Sequence, residues 1–100
     1  MANSWGIPKH IEDAVSERDL CCVYCGKKFG TERANKKSWE HIINDIRITT
    51  LSNIALCCIG CNASKGNNDL ATWLHSENAR KRGVTTETIA DVIKVALDSE

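Results

Sequence analysis

The sequence lacks the features that would place it in a membrane or direct it out of the cell. No apolar run of about 18 residues occurs among its 100 residues, which excludes a membrane-spanning helix. Residues 1–5 lack the basic flank and the apolar stretch of a secretory signal. Neither an internal repeat nor a low-complexity linker divides the chain. We therefore expect one domain, residues 1–100, with a cytoplasmic location and no membrane partner.

The chain contains six cysteines, and their spacing is its strongest feature. A chain of this length buries only about 60 to 70% of the surface that its unfolded form exposes, so a further source of stability is expected. Cys22 and Cys25 form one C-x-x-C pair, and Cys58 and Cys61 form a second. In an intracellular protein such pairs hold metal more often than they form disulfides. Four thiolates complete a tetrahedral zinc site that leaves no position for water or substrate. We therefore predict a structural Zn²⁺ ion.

Two alternatives apply to these cysteines. A redox-active pair would explain one C-x-x-C, but not two. Cys21 and Cys57 each precede a pair, and the simplest interpretation is that both are small buried hydrophobic residues. The alternative is that one of them replaces its neighbour, Cys22 or Cys58, as a metal ligand.

The charge of the chain is balanced overall but unevenly distributed. The 13 basic and 13 acidic side chains cancel. Residues 27–82, however, carry ten basic side chains against five acidic ones, while residues 1–26 and 83–100 are net acidic. Lys36 and Lys37 belong to a basic loop that leads to the motif described below, and we expect them to contact nucleic acid. A run of charge is more often a solvated face, so this signal is weak alone.

Hydrophobic periodicity and turn residues predict several short elements. Pro8 fits the first turn of a helix, and Asp69 is a suitable N-cap for another. The expected elements are a helix over about 8–19, strands over 38–43 and 54–58, a helix that opens at the second cysteine pair and breaks at 66–68, and helices over about 69–81 and 86–98, the last capped by Thr85 or Thr86. The apolar stripe of the last helix packs on the core or on a second subunit.

The order and spacing of the polar residues between the cysteine pairs resemble one known family. The series is Cys22-x-x-Cys25, Glu40-His41-Ile42, Asn53-Ile54, Cys58-x-x-Cys61-Asn62 and Lys65-Gly66. It resembles the HNH endonucleases over about residues 20–67. The resemblance implies an α+β fold: a small ββα-metal (His-Me finger) core, stapled by a four-cysteine zinc site and flanked by helices.

The same resemblance implies the role of each site residue. His41 would be the general base, Glu40 and Asn62 would hold a catalytic divalent ion, and Asn53 would brace the loop and orient His41. The products would carry 5′-phosphate and 3′-hydroxyl ends. Lys65 is a further candidate for a phosphate contact.

Phosphodiester hydrolysis requires groups of these types in any case. Water must lose a proton near neutral pH, and a histidine pKa of about 6.5 suits that step. Charge growing on the phosphate must be neutralised by a cation. A carboxylate and an amide oxygen, from Glu40 and Asn62, suit Mg²⁺ or Mn²⁺. Because adjacent strand residues point to opposite faces, we expect a bend or bulge where Glu40 meets His41.

Each site residue also has a plain structural interpretation. Glu40 would be an ordinary exposed carboxylate, His41 a structural histidine, Asn53 and Asn62 turn residues, and Lys65 a solvated lysine. The helical His75 is an extra metal ligand or, more simply, an exposed position.

The chain departs from the family pattern in two places. Glu40 stands where aspartate or histidine is more frequent, and Ile43-Asn44-Asp45 stands where a proline often follows. Because no recognition module is attached, sequence-specific cleavage would need a homodimer or a phage or host DNA-processing partner. We therefore expect a bacterial or phage DNA endonuclease of weak specificity.

Two other functions remain open. The competing class is a non-catalytic zinc module that binds nucleic acid or protein, but it gives no reason for Glu40, His41 and Asn62 to occur together. An enzyme of the same fold that acts as a toxin or in phage DNA processing is the third possibility.

Overall fold

The computed structural model describes residues 7–43 and 48–98. Within these residues the chain forms a two-stranded antiparallel sheet and several short helices, which confirms the predicted α+β class. The elements are α1 (Lys9–Arg18), a 3₁₀ turn (Arg33–Asn35), β1 (Lys37–His41), β2 (Ile54–Cys58), α2 (Ile59–Lys65), α3 (Leu70–Leu74), α4 (Glu77–Lys81) and α5 (Asp91–Asp98). In the described part of the chain, every helix is too short or too polar to cross a membrane.

The two strands pair without interruption. Their register runs from Lys37 opposite Cys58 to His41 opposite Ile54, one residue against one. The bulge expected at Glu40 and His41 is therefore wrong, since both strands are fully described and pair regularly to the last residue. The chain bends only afterwards, at residues 42–43. Because side chains alternate along a regular strand, Glu40 and His41 lie on opposite faces of the sheet.

Polar groups from neighbouring segments satisfy both edges of this sheet. Leu56 of β2 donates its N–H to the Asp19 carboxylate at 3.0 Å, and its carbonyl accepts from the N–H of Val23 at 3.2 Å. On the other edge, the carbonyl of Trp39 accepts from the Asn62 side chain at 3.1 Å. The first cysteine pair and α2 therefore flank the hairpin and close edges that would otherwise be open to pairing.

The sheet separates two apolar clusters. On one face, Trp39, Ile54 and Leu56 pack with residues of α1 such as Val15. On the other face lies the larger cluster, whose buried members include Tyr24, Ala55, Cys57, Trp73 and Ile93. The rings of Tyr24 and Trp73 meet edge to face, with their centroids 5.0 Å apart. The apolar stripe of α5 joins this larger cluster, so it packs on the chain's own core.

The helix predicted over 69–81 is divided in two. Asp69 caps α3 as expected, and its carboxylate accepts from the N–H of Thr72 at 3.1 Å. Ser76 then interrupts the helix. Its hydroxyl donates to the carbonyl of Trp73 at 2.6 Å and accepts from the N–H of Ala79 at 3.3 Å. This hydroxyl caps α4 and makes Ser76 the start of a new helix.

The helix predicted over 86–98 begins only at Asp91. Thr85 does not cap it, because residues 85–88 form a turn held by the Thr88 hydroxyl, which accepts from the N–H of Thr85 at 2.8 Å. That hydroxyl is also 2.7 Å from the carbonyl of Tyr24, to which it donates. The turn is therefore fixed by a contact with the first cysteine pair, a tertiary constraint that competes with helix formation.

Candidate metal centre and candidate active site

Four buried cysteines form one cluster. The sulfur atoms of Cys22, Cys25, Cys58 and Cys61 lie within 4.8 Å of one another, and those of Cys25 and Cys58 are 3.9 Å apart. Four sulfurs bound at about 2.3 Å to a tetrahedral Zn²⁺ ion would be about 3.8 Å apart. The donor set and its spacing therefore fit a structural metal ion.

Two turns bring these cysteines together. In the first, the N–H of Gly26 donates to the carbonyl of Cys22 at 3.0 Å, and Gly26 adopts a φ of 74°, which favours glycine. In the second, Cys58 is the N-cap of α2, and its sulfur accepts from the N–H of Cys61 at 3.4 Å. The second pair is thus built on the junction between β2 and α2.

The other two cysteines lie outside the cluster. Cys57 is fully buried on the core face of β2, where its sulfur lies 3.7 Å from the hydroxyl of Ser38. Burial raises the pKa of the Cys57 thiol, so the thiol is neutral. Cys21 is half-buried and forms an isolated β-bridge with Lys28. Neither is a member of the cluster, as the simpler interpretation of the sequence predicts.

Glu40 lies in a buried polar group on the core face of the sheet. Its Oε2 atom accepts from the hydroxyl of Tyr24 at 2.7 Å and lies 3.3 Å from Nζ of Lys65. Glu40 is 6% exposed and Lys65 only 1% exposed. Burial raises the pKa of the Glu40 carboxyl, while Lys65 and Tyr24 act in the opposite direction. A phosphate contact by Lys65 stays a prediction, and it would require the ammonium group to leave this ion pair.

Asn62 joins α2 to the edge of β1. Its side-chain nitrogen donates to the hydroxyl of Ser38 and to the carbonyl of Trp39, both at 3.1 Å. Because Ser38 and Glu40 are two residues apart on one strand, their side chains lie on the same face. The arrangement therefore brings Asn62 to the side of the hairpin that carries Glu40.

His41 lies on the other side. It pairs with Ile54, whose side chain packs toward α1, and it is 5% exposed. The structure therefore pairs Glu40 with Lys65, places Asn62 on the same side of the hairpin, and places His41 on the opposite face of the strand.

Asn53 braces the backbone that follows β1. Its side chain accepts from the N–H of Ile43 at 2.7 Å and donates to the carbonyls of Ile43 at 3.2 Å and Ile48 at 2.9 Å. Its own carbonyl accepts from the N–H of Ile42 at 2.9 Å. The bracing expected of Asn53 is thus part of the structure, while its effect on the orientation of His41 stays a prediction.

A second metal ion beside Glu40 would have few protein ligands. Within residues 7–43 and 48–98, one group of three or more Cys, His, Asp or Glu side chains lies close enough together to hold an ion. This group consists of the four cysteines. The carboxylate of Glu40 and the amide oxygen of Asn62 suit a hard cation such as Mg²⁺, which usually keeps several water ligands. A catalytic divalent ion at Glu40 and Asn62 stays a prediction.

The basic residues predicted to contact nucleic acid are exposed beside the cysteine cluster. Lys36 and Lys37 precede and begin β1, and Lys37 lies opposite Cys58. The carbonyl of Lys36 accepts from the N–H of Ile59 at 2.9 Å, which ties this segment to α2. His41 is four residues beyond Lys37 on the strand, or about 13 Å away.

Two site residues were not predicted from the sequence. Tyr24 lies inside the first C-x-x-C pair and donates to Glu40, and its position between two cysteines of the predicted metal site is a signal that could have found it. Arg82 donates from Nε to the sulfur of Cys61 at 3.4 Å and from Nη2 to the sulfur of Cys58 at 3.5 Å. It is 21 residues from Cys61, and the sequence shows only its charge.

Comparison with known proteins adds no relative to this picture: no protein-family model, curated protein or solved structure matches the chain.

Proposed function

We propose that this protein is a metal-dependent endonuclease that hydrolyses DNA phosphodiester bonds, with an HNH-type ββα-metal core. One observation carries the proposal. The unit β1–β2–α2 places Asn62 and Lys65 on the same side of the hairpin as Glu40, directly beside the four-cysteine cluster. A buried carboxylate–ammonium pair with an amide on the same side of the hairpin is not required by a zinc module that only binds.

The ion in the cysteine cluster is proposed to be Zn²⁺. Four thiolates suit this ion in type, number and spacing. With four protein ligands the ion would have no position for substrate, so its role is to hold the two cysteine turns together. Catalysis therefore falls to the side chains of the hairpin.

Each side chain of the hairpin has a proposed task. His41 accepts a proton from the attacking water, which requires this buried side chain to become accessible to water and to the phosphate. Glu40 and Asn62 hold the catalytic divalent ion, Mg²⁺ or Mn²⁺. When bound, such an ion supplies positive charge to the phosphate and to the leaving oxygen. Asn53 holds the backbone on both sides of residues 44–47, and so fixes the end of the strand that carries His41.

DNA is the proposed substrate because exposed basic residues lie at the start of the strand that carries Glu40 and His41. Lys36 and Lys37 would contact phosphates on one side of the scissile bond, which predicts binding that weakens as salt rises. Specific cleavage would come from a homodimer or from a DNA-processing partner.

The test is cleavage of supercoiled plasmid by the zinc-loaded protein in Mg²⁺ and in Mn²⁺. We expect the wild type to produce open-circular or linear DNA, and His41→Ala and Glu40→Gln at equal zinc content to produce none. His10→Ala is the matched control, because His10 is exposed on α1, and it should cleave like the wild type. Cleavage that survives in His41→Ala would rule out the proposed general base.

A non-catalytic zinc module that binds nucleic acid or protein is the second candidate. Two observations favour it: Lys65 already pairs with the Glu40 carboxylate, to which Tyr24 also donates a hydrogen bond, and His41 is nearly fully buried. If the folded, zinc-loaded wild type binds DNA but cleaves none in either divalent metal, this candidate replaces the nuclease.

A further inference from the structure

Arg82 reaches the cysteine cluster from outside the two turns that build it. Its Nε and Nη2 atoms donate to the sulfurs of Cys61 and Cys58, the two cysteines of the second pair. A planar guanidinium group thus contacts two metal-ligand atoms at once, which a lysine ammonium cannot do with the same geometry.

The end of α4 fixes the backbone from which this side chain extends. The N–H groups of Arg82 and Val84 both donate to the carbonyl of Ala79, at 3.1 and 3.0 Å. The N–H of Gly83 donates to the carbonyl of Arg80 at 2.9 Å. Val84 is 2% exposed and anchors the turn in the core. The backbone that carries the guanidinium is therefore held in place by hydrogen bonds and by the core.

Gly60 provides the space that the guanidinium fills. A Cβ atom at Gly60 would lie 2.5 Å from Cζ and 2.7 Å from Nη1 of Arg82, far inside contact distance. Gly60 lies in α2 and has no positive φ, so its backbone does not need glycine. In a helix, glycine is less favourable than alanine. The close approach of Arg82 gives a reason for glycine at this position.

Four thiolates and one Zn²⁺ ion carry a formal charge of −2. Hydrogen bonds to these sulfurs, and a positive charge beside them, make the thiolates harder to protonate and so harder to detach from the metal. Groups that contact the ligands have such effects at other metal sites. We propose that Arg82 is a positioning residue of the metal centre that slows the loss of the ion, and that Gly60 is the position that admits it. This inference rests on the proposed zinc site and does not depend on nuclease activity.

The test measures how fast zinc passes from the protein to an excess of the chromogenic chelator 4-(2-pyridylazo)resorcinol at neutral pH. Arg82→Gln should release zinc about 10-fold to 100-fold faster than the wild type. Lys81→Gln is the matched control: it removes the same charge from the preceding, exposed residue, and it should release zinc at the wild-type rate. Arg82→Lys keeps the charge without the fork and should be intermediate.

Gly60→Ala provides an independent arm. The added methyl group displaces the guanidinium, so this variant should release zinc as fast as Arg82→Gln although Arg82 is still present. The double variant should be no faster than either single variant, because both remove one interaction. The inference would be overturned if the increase in zinc-release rate in the double variant equalled the product of the increases in the two single variants.

Cobalt substitution separates loss of the contact from loss of the fold. The thiolate-to-cobalt absorption band should keep its wild-type intensity in all five variants, which would show that four sulfurs still bind. Zinc release at the wild-type rate from Arg82→Gln would overturn the role of Arg82 alone. A wild type that binds neither zinc nor cobalt in equimolar amount would overturn the zinc site as well.

Discussion

At the scale of single residues, the polar group around Glu40 stands out because all of its members are buried. The ammonium group of Lys65 and the carboxylate of Glu40 have both lost their contact with bulk water. Such a pair adds little stability over apolar residues of the same size, because desolvation offsets the attraction. Removing one partner is different, since it leaves a buried charge without compensation.

Lys65→Met should therefore lower the free energy of unfolding by about 3 to 5 kcal/mol. The double variant Lys65→Met/Glu40→Gln should recover part of that loss, because neither charge remains. Urea denaturation of the zinc-loaded proteins measures both, and Lys36→Met, at an exposed position, is the control with a change of no more than about 0.5 kcal/mol. Equal losses in the single and double variants would show that Glu40 does not depend on Lys65.

The Tyr24 hydroxyl gives a second residue-scale prediction. Tyr24→Phe keeps the edge-to-face contact with Trp73 and removes only the hydrogen bond to Glu40. We expect unfolding free energy to fall by about 1 to 3 kcal/mol, the usual cost of a lost bond to a charged, buried acceptor. In the Glu40→Gln background the same substitution should cost less. Identical costs in both backgrounds would contradict a direct bond between the two side chains.

At the scale of elements, α2 links the two halves of the site, its first end defined by a side-chain cap and its second by a backbone conformation that favours glycine. Cys58 begins it as a cap and belongs to the four-cysteine cluster. Gly66 ends it with a φ of 51° and a ψ of −129°, a conformation that residues with a Cβ rarely adopt. A Cβ at Gly66 would meet only the carbonyl of Ala63, at an ordinary 3.7 Å.

Gly66→Ala should consequently cost about 1 to 3 kcal/mol of stability from backbone strain alone. Gly30→Ala is the control, because Gly30 has no positive φ and an added Cβ there meets one atom at 3.5 Å. Thermal unfolding of both variants at equal zinc content tests this. A Gly66→Ala protein as stable as Gly30→Ala would mean that α2 ends differently from the structure described.

What the sequence could predict at this scale depended on local signals. The apolar run Ile54–Cys58 and the turn residues after Lys65 placed β2 and the end of α2 correctly. Local signals failed where a tertiary hydrogen bond decided the outcome. The Thr88 hydroxyl donates to the carbonyl of Tyr24, and α5 begins only after this turn, at Asp91. The expected bulge failed because it assumed that Glu40 and His41 face one site.

The same limit applied to the candidate site. The four-cysteine cluster follows from spacing alone, because each pair is a local turn. Glu40 contacts Tyr24, 16 residues before it, and Lys65, 25 residues after it. No local sequence pattern predicts these contacts.

At the scale of the whole molecule, the metal site joins segments that the sheet alone would hold weakly. A two-stranded sheet is marginal without further packing, and the first cysteine pair precedes β1 while the second begins at the last residue of β2. A bound ion would connect both to the core. Its binding energy, about 10 to 16 kcal/mol in zinc-finger peptides, is comparable to the entire stability of a small domain.

Removal of zinc should therefore unfold the protein. With excess EDTA at neutral pH, or at acid pH where protons displace the metal from the thiolates, the far-ultraviolet circular dichroism of the helices should be lost. Equimolar Zn²⁺ should restore it, whereas Mg²⁺ should not, because thiolates are soft ligands. Neighbouring cysteines supply the matched variants: Cys22→Ala should lose both zinc and helical signal, while Cys21→Ala should keep both. A metal-free wild type that unfolds at the same temperature as the zinc-loaded protein would show that the apolar clusters suffice, and loss of zinc in Cys21→Ala alone would reassign the ligand.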